Sequence, residues 1–431
     1  MKVLVISFRF APFNSIGSNR VNALVEFFKK NDIEYKVITS YVGKHRQKDF
    51  LPDKNVHYVS WFDFRKFKKI KYNEYDESEN RDNSSKSAPK ISWKIKIVLL
   101  VKKILLSFLY PDPYITWVFN AKSVGDKIVR NFAPDVIYSS SYPYSSHITA
   151  SYLSKKYKVK WFAELRDPWV DNHVKKNNSF FIDFVERKYS KRVLKYACRL
   201  VTVSNVWKKS FENLYNTPCH LVRNGYVNNK VVSVKASKTH LIIKQNNKTI
   251  LYTGSIFPEN QNIESFLINF NELACKNSNY KFCYVGGQVN YLRTLIRELN
   301  LNRENFILMD KVPYSESVSL QKQADFLLVL NWMNDKNDNA KGVIPGKFYE
   351  YLGANKPILL WNEGQNNELL DLSININKKS SGKKVLIINQ GNSLLKIIES
   401  FCYSYDMEAV QQYSREKQFN LLLLEFYKKN E

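Results

Sequence analysis

Within "GVIPGKFYEYLGANKPILLW", Gly342 to Trp361, a single carboxylate, Glu350, stands among apolar and aromatic residues, with Lys347 three positions before it. Pro345 and Gly346 have the composition of a tight turn leading into a helix. On that helix Lys347 and Glu350 share one face, while Phe348 and Tyr351 take another. A lysine able to reach a phosphate, beside a glutamate able to accept hydrogen bonds from a vicinal diol, would hold the diphosphate and ribose of a nucleotide. The same spacing describes a solvent-exposed pair worth about 0.3 kcal/mol, and spacing does not choose between the two.

Three other stretches place polar residues where a strand should give way to a helix. In "FRFAPFNSIGSNRVNAL", Gly17 and Ser18 precede a helix whose N-terminal N–H groups and dipole favour an anion, although a plain turn with an N-cap reads the same way. In "WFAELRDPWVDN", Glu164, Arg166, Asp167 and Asp171 follow an apolar strand, and Pro168 ends the local structure. The alternative there is an internal ion pair of Arg166 with Asp167 or Glu164 that fixes the loop. In "VTVSNVWKKSFENL" and the following "CHLVRNGYV", Ser204 is an N-cap and Asn224-Gly225 a turn.

The elements that must position these residues follow from periodicity. Short β-branched runs at 2–7, 35–39, 135–139, 160–164 and 199–203 read as strands, with helices between them such as 19–30 and 145–157. A second series, with strands at 249–253, 280–285, 305–309, 326–330, 357–361 and 384–388, begins after the pattern loosens near residues 223–238. Repeated βα units imply parallel sheets with helices on both faces. The expectation is an α/β chain of two doubly wound, Rossmann-like domains, 1–225 and 226–411, facing a cleft that holds the ligand, plus a helix over 412–429 that packs back across the hinge. The polar stretch 73–90, rich in Ser, Asn and acid, reads as a mobile surface excursion.

Composition narrows the class. The 431 residues are 44% hydrophobic and 25% charged, enough to bury a large core. Five scattered cysteines in no C-x-x-C spacing indicate neither a disulfide framework nor a zinc cluster, which reads as a reduced cytosol. The apolar run in "MKVLVISFRF" is too short for a secretory segment. Net charge is +26, and it is lopsided: residues 1–225 carry 41 Lys and Arg against 20 Asp and Glu, the remainder 25 against 20. Such a surface attracts polyanions, either nucleic-acid phosphates or anionic lipid headgroups. No nucleic-acid-binding motif is present. Residues 91–110 mix Lys94, Lys96, Lys102 and Lys103 with aromatics, which fits an interfacial helix or a core-facing helix with solvated lysines equally well.

The order of the pieces, from "APFNSIGSNR" through "PDPYITW", "PDVIYSSSYPYSSHITA", "ELRDPW", "VTVSN", "VRNGY", "ILYTGSI" and "KVPYSES" with "ADFLLVL" to "IPGKFYEYLGANKPIL", resembles the retaining glycosyltransferases of family 4, which have the GT-B architecture. It is most similar to members that build bacterial capsule, O-antigen or exopolysaccharide. The resemblance implies that Glu350 is the second acid of an E-x7-E motif and grips the ribose of a nucleotide sugar. Gly342 stands where the first acid would be, and "TGSIFPENQN" lacks the family's basic pair. The donor's diphosphate is then left to Lys347, the Gly17 amides and Arg223, with Gly254, Ser255 and Gly346 lining the donor site. Arg20, Arg166 and Asp167 fall on the acceptor side. Asp167 is assigned an orienting role and Glu350 a catalytic one.

No Asp-x-Asp occurs, so no metal or other cofactor is expected. The implied partners are a UDP- or GDP-sugar, a lipid-linked glycan and an anionic membrane surface, with no nucleic acid. The implied location is cytoplasmic, at the inner face of the cell membrane. A nucleotide-sugar epimerase on the same architecture, with His147 and His173 the nearest histidines to its loops, and a basic nucleic-acid binder are the competing readings.

Overall fold

A computed structural model describes residues 1–13, 16–41, 53–63, 110–172, 180–227, 247–333, 338–389 and 391–428. The excursion at 73–90, the lysines of 91–109, His173 and residues 228–246 of the loosened stretch lie outside the described residues. The chain divides into two compact units. The described part of the first comprises residues up to Val222 together with those from Phe419 onward, and that of the second runs from Arg223 to Gln418.

The first unit is a seven-stranded sheet. Its strands are β1 (Lys2–Ile6), β2 (Glu34–Ser40), β3 (Val56–Val59), β4 (Val136–Ser140), β5 (Lys160–Glu164), β6 (Arg199–Thr202) and β7 (Cys219–Leu221), in the spatial order β3-β2-β1-β4-β5-β6-β7. Every pairing is parallel. Helices α1 (Ile16–Lys30), α2 (Trp117–Phe132), α3 (Ser145–Tyr157), α4 (Phe180–Leu194) and α5 (Asn205–Tyr215) make the crossovers. The chain direction in the order reverses between β1 and β4, which is where ligands settle in open sheets of this kind.

The second unit is a six-stranded parallel sheet of β8 (Lys248–Thr253), β9 (Tyr280–Val285), β10 (Phe306–Met309), β11 (Phe326–Leu330), β12 (Ile358–Trp361) and β13 (Val385–Ile388), ordered β10-β9-β8-β11-β12-β13. Helices α6 (Ile263–Lys276), α7 (Val289–Glu298), α8 (Tyr314–Gln323), α9 (Gly346–Ala354), α10 (Glu368–Lys379) and α11 (Leu394–Glu399) lie between them. Its order reverses between β8 and β11. Apolar clusters cover both faces of this sheet, which is why its strands read as uninterrupted hydrophobic runs.

The strands expected from periodicity are present, with ends shifted by a residue or two. Two were missed, β3 and β7; both are short edge strands with little periodic signal. Helix α1 starts at Ile16, so Gly17 and Ser18 sit in its first turn and do not precede it. Ser204 caps α5, its Oγ accepting from Trp207 N–H at 3.3 Å. Asn224-Gly225 does not turn the chain. A Cβ on Gly225 would lie 2.6 Å from the Arg415 nitrogen and 2.8 Å from the Tyr413 carbonyl oxygen, so glycine there permits a close backbone approach.

The last helix, α12 (Arg415–Tyr427), supplies Phe419, Leu422 and Phe426 to the apolar cluster of the first sheet, beside Val5, Tyr138 and Phe162. The rings of Phe426 and Phe162 are 4.7 Å apart at 62°. Replacing Phe426 by Ala should therefore lower stability by about 3 kcal/mol or more, the usual result of emptying an aromatic site in a core. A urea midpoint equal to that of the unaltered chain would contradict the assignment.

Candidate functional site

The second unit's site is built where β8 ends. Gly254 follows the strand with φ +96°, a conformation that side chains other than glycine's rarely adopt. The turn is pinned from below: Thr253 N–H donates to the Tyr351 hydroxyl at 2.9 Å, and the Tyr252 hydroxyl donates to the Ser255 carbonyl at 2.8 Å.

Helix α9 then brings Lys347 onto this turn. Its Nζ donates to the Ser255 carbonyl at 3.2 Å and lies 3.5 Å from the centre of the Tyr252 ring, and a Cβ on Gly254 would be 3.6 Å from it. Among the described residues no carboxylate comes within ion-pair distance of this ammonium, so the exposed Lys347–Glu350 pair does not form. Burial pushes the Lys347 amine well below its usual range, with the Glu350 charge opposing that only in part. Among the described residues, this ammonium is met by the Ser255 carbonyl and the Tyr252 ring.

Glu350 lies one turn further along α9. It lines a small pocket with Tyr226, Tyr314, Gln321 and Gly353. Gln321 Nε2 donates to Glu350 Oε2 at 3.4 Å. Burial raises the Glu350 carboxyl, and Gln321, Arg415 and Lys347 offset part of that rise. The pocket measures about 20 Å³, the space of about one water molecule. Gly353 is required by close approach: a Cβ there would be 2.7 Å from that of Tyr226.

Arg223 does not join this group. Its guanidinium is held by Glu368 at the start of α10, with Nη1 and Oε1 2.6 Å apart, so its charge is met internally. Gly346 opens α9 with free space around it: nothing stands within 4 Å of a Cβ placed there.

In the first unit, Gly17 and Arg166 come together. A Cβ on Gly17 would be 2.8 Å from Arg166 Nη2, and Arg166 Nε donates to the Ser141 carbonyl at 2.6 Å. The guanidinium thus sits on the first turn of α1, beside the loops that follow β1 and β4. Asp167 is exposed and makes no hydrogen bond or ion pair among the described residues.

The internal ion pair of this loop involves a different arginine from the one the sequence suggested. Glu164 pairs with Arg20, Oε1 to Nε at 2.7 Å, both buried. Glu164 also accepts from Ser140 Oγ at 2.6 Å, while Arg20 Nη2 donates to the Val222 carbonyl at 2.9 Å. Burial would raise the Glu164 carboxyl, but Arg20 and then Arg166 outweigh it and hold it below the usual carboxylate range. Arg20 is therefore a buried strut joining α1 to β5 and the end of β7, not a residue presented to an acceptor.

Asp112 of "PDPYITW", unassigned from sequence, is also structural. Its carboxylate accepts from Ser145 N–H at 2.8 Å and so caps α3. His147 is buried, bonded through Nδ1 to Ser139 Oγ at 2.8 Å, and burial pushes its imidazole down to about 3. Among the described residues no group of three or more His, Cys, Asp or Glu is placed to hold a metal ion. No described helix is long and apolar enough to cross a membrane.

No family model and no curated protein matches the chain. Solved structures do. The chain is similar to sucrose-phosphate synthase from Thermosynechococcus elongatus, with a TM-score of 0.63 at 11% identity over 99% of this chain and 98% of that one. It is also similar to HepE from Anabaena in complex with UDP (TM-score 0.55, 11% identity, 99% and 96% covered) and to UDP-GlcNAc 2-epimerase from Methanocaldococcus jannaschii (0.54, 10%, 99% and 100%). The fold is GT-B, carried by two Rossmann-like parallel sheets.

A test of the buried pair follows. Glu164→Ala should destabilise the protein by about 3–5 kcal/mol, because it leaves Arg20 charged and uncompensated in the interior, whereas Glu164→Gln with Arg20→Met should cost less than the single change. Equal melting curves for Glu164→Ala and the unaltered chain would refute the strut.

Proposed function

We propose that the chain is a retaining glycosyltransferase that moves a sugar from a UDP- or GDP-sugar to a lipid-linked or growing bacterial surface polysaccharide, without a metal. The observation that carries this reading is Lys347: a desolvated ammonium with no carboxylate within ion-pair distance among the described residues, held over the glycine turn at the reversal point of a nucleotide-fold sheet, one helical turn from Glu350. In the proposal Lys347, the Gly254-Ser255 turn and the first N–H groups of α9 at Gly346 receive the donor diphosphate, and Glu350 accepts from the ribose hydroxyls. Similar structures include one bound to UDP and a sucrose-phosphate synthase, which favours a nucleotide-sugar reading. The family 4 motifs described above supply the finer assignment to bacterial polysaccharide synthesis.

In the first unit, the α1 N-terminus at Gly17 presents N–H donors to the donor diphosphate, and on the acceptor side the Arg166 guanidinium lies beside it while the exposed Asp167 orients the acceptor hydroxyl. The acceptor oxygen bonds to the anomeric carbon as the bond from that carbon to the diphosphate breaks, and the acceptor's proton passes to the departing diphosphate. Asp167 need not act as a strong base in that scheme. The excess positive charge of residues 1–225 suits a cytoplasmic enzyme attached to the anionic inner face of the membrane.

Glu350→Ala should lower turnover by about a hundredfold or more, as expected when a positioning contact to the donor is lost, with an unchanged circular dichroism spectrum. Activity equal to that of the unaltered chain would remove the donor-site assignment. Lys347→Ala should raise the donor KM and lower kcat together. Burial disfavours the Lys347 ammonium and a bound diphosphate favours it, so nucleotide binding should raise the pH at which this amine titrates. Calorimetric titration with the cognate nucleotide, identified beforehand by a thermal-shift screen of UDP, GDP and ADP, should therefore show proton uptake when buffers of different ionisation enthalpy are compared. That uptake should vanish in Lys347→Met; its absence in the unaltered chain would count against the lysine's role.

A 2-epimerase is the second reading, favoured by the similar epimerase structures. Incubation with the donor sugar nucleotide and no acceptor separates the two: an epimerised sugar nucleotide as product would replace the transferase reading.

A further inference from the structure

The carboxyl edge of the first sheet holds Gly17, Arg166 and Asp167. Its opposite, amino edge carries a separate concavity that the proposed reaction does not use. This pocket, about 240 Å³, is lined by Ser154, Lys155, Lys158, Lys160, Tyr196 and Cys198, among others. Each comes from a connection running from a helix into a strand: the end of α3 into β5, and the end of α4 into β6. At about 30 Å³ of liquid volume per water, there is room for a phosphate group with its substituent.

The lining is basic. Lys155 Nζ and Lys195 Nζ lie 5.2 and 4.9 Å from the centre of the Tyr196 ring, one reaching from α3 and one from the residue after α4. Lys160 Nζ donates to the Lys428 carbonyl at 2.8 Å. Among the described residues no carboxylate is within ion-pair distance of Lys155, Lys158, Lys160 or Lys195. The acids nearby are engaged elsewhere: Asp126 with Lys156, and Glu425 with Arg199 and Lys428. Lysines that converge on one concavity with no acid among them repel one another, and an anion removes that repulsion. The exposed side of α4 extends the field, since Lys188, Lys191 and Arg192 lead along it to Lys195. The Tyr196 phenol is held below its ordinary range by the neighbouring ammonium groups, first Lys155 and then Lys195.

We propose that this amino-edge pocket is a second anion site that takes a phosphate group, borne either by a soluble phosphate ester or by a lipid headgroup, with Lys155, Lys158 and Lys160 as its donors and Lys195 adding charge beside Tyr196. It is independent of the donor and acceptor assignments above. Occupation draws the two ammonium groups away from Tyr196 and returns its phenol toward its ordinary range.

The test uses the full chain, with Lys155→Glu combined with Lys158→Glu, both exposed positions, and Lys155→Gln with Lys158→Gln as the milder pair. One arm titrates inorganic pyrophosphate by calorimetry, with a saturating cognate nucleotide occupying the other site. The second arm sediments the protein with vesicles of phosphatidic acid in phosphatidylcholine. Binding in either arm should fall at least tenfold in the Glu pair and less in the Gln pair, and the arm that responds identifies the source of the phosphate. The tyrosinate absorbance attributable to Tyr196, isolated by subtracting Tyr196→Phe, should titrate at higher pH once the ligand is present. Binding in neither arm, undiminished binding by the Glu pair, or binding to an RNA oligomer alone would overturn the site. Donor turnover without acceptor-membrane coupling is expected to persist in both pairs, so failure here is distinguishable from failure of the donor assignment.

Discussion

Parallel strands cannot be joined by tight turns, and most of this molecule follows from that. Every connection must run back along the sheet through a helix or long loop, so all strands of a unit leave at one edge and are entered at the other. Loops at the leaving edge are followed by helix N-termini, with unpaired N–H groups and a positive field; loops at the entering edge follow helix C-termini and collect lysine. The two ends of one sheet are thereby given different chemistry before any particular ligand is considered. In the second unit this places Gly254, Ser255 and α9 at a single reversal point, and in the first it places Gly17 beside Arg166.

Within that frame the buried polar groups divide into those whose charge is met and those whose charge is not. Arg20 with Glu164, and Arg223 with Glu368, are neutralised internally and tie separate elements together. Lys347 is the opposite case. Taking an ammonium out of water costs several kcal/mol when nothing of opposite sign replaces the solvent. A carbonyl and an aromatic face supply only part of that, so the arrangement is stable at the expense of the ammonium's proton affinity.

Much of the fold was legible because buried parallel strands read as apolar runs: 160–164, 280–285 and 326–330 match the observed strands residue for residue. The edge strands Val56–Val59 and Cys219–Leu221 were not, since short strands with mixed burial have no strong period. In the site, the helix entered at Pro345-Gly346 could be found from composition, while the glycine turn after β8 was indicated only by the family resemblance. Whether Lys347 faced water or the Tyr252 ring could not, because three-residue spacing fixes a shared face but not what covers it. Arg20 was misplaced for a related reason: its partner is 144 positions away, and a lone arginine early in a helix otherwise reads as surface. The lysines at 155, 158 and 160 appeared only as part of an average charge, since their convergence with Lys195 depends on two adjacent strands beginning side by side.

The return of α12 to the first sheet bears on how the chain is made. Residues 223–418 are all synthesised before Phe419, Leu422 and Phe426, which belong to the unit that was begun first. Synthesis runs from the amino end, so Val5, Tyr138 and Phe162 of the earlier unit lack their α12 cover until residues 419–426 are made. A translational pause after residue 418 would lengthen that exposure, and one before residue 223 would not shorten it.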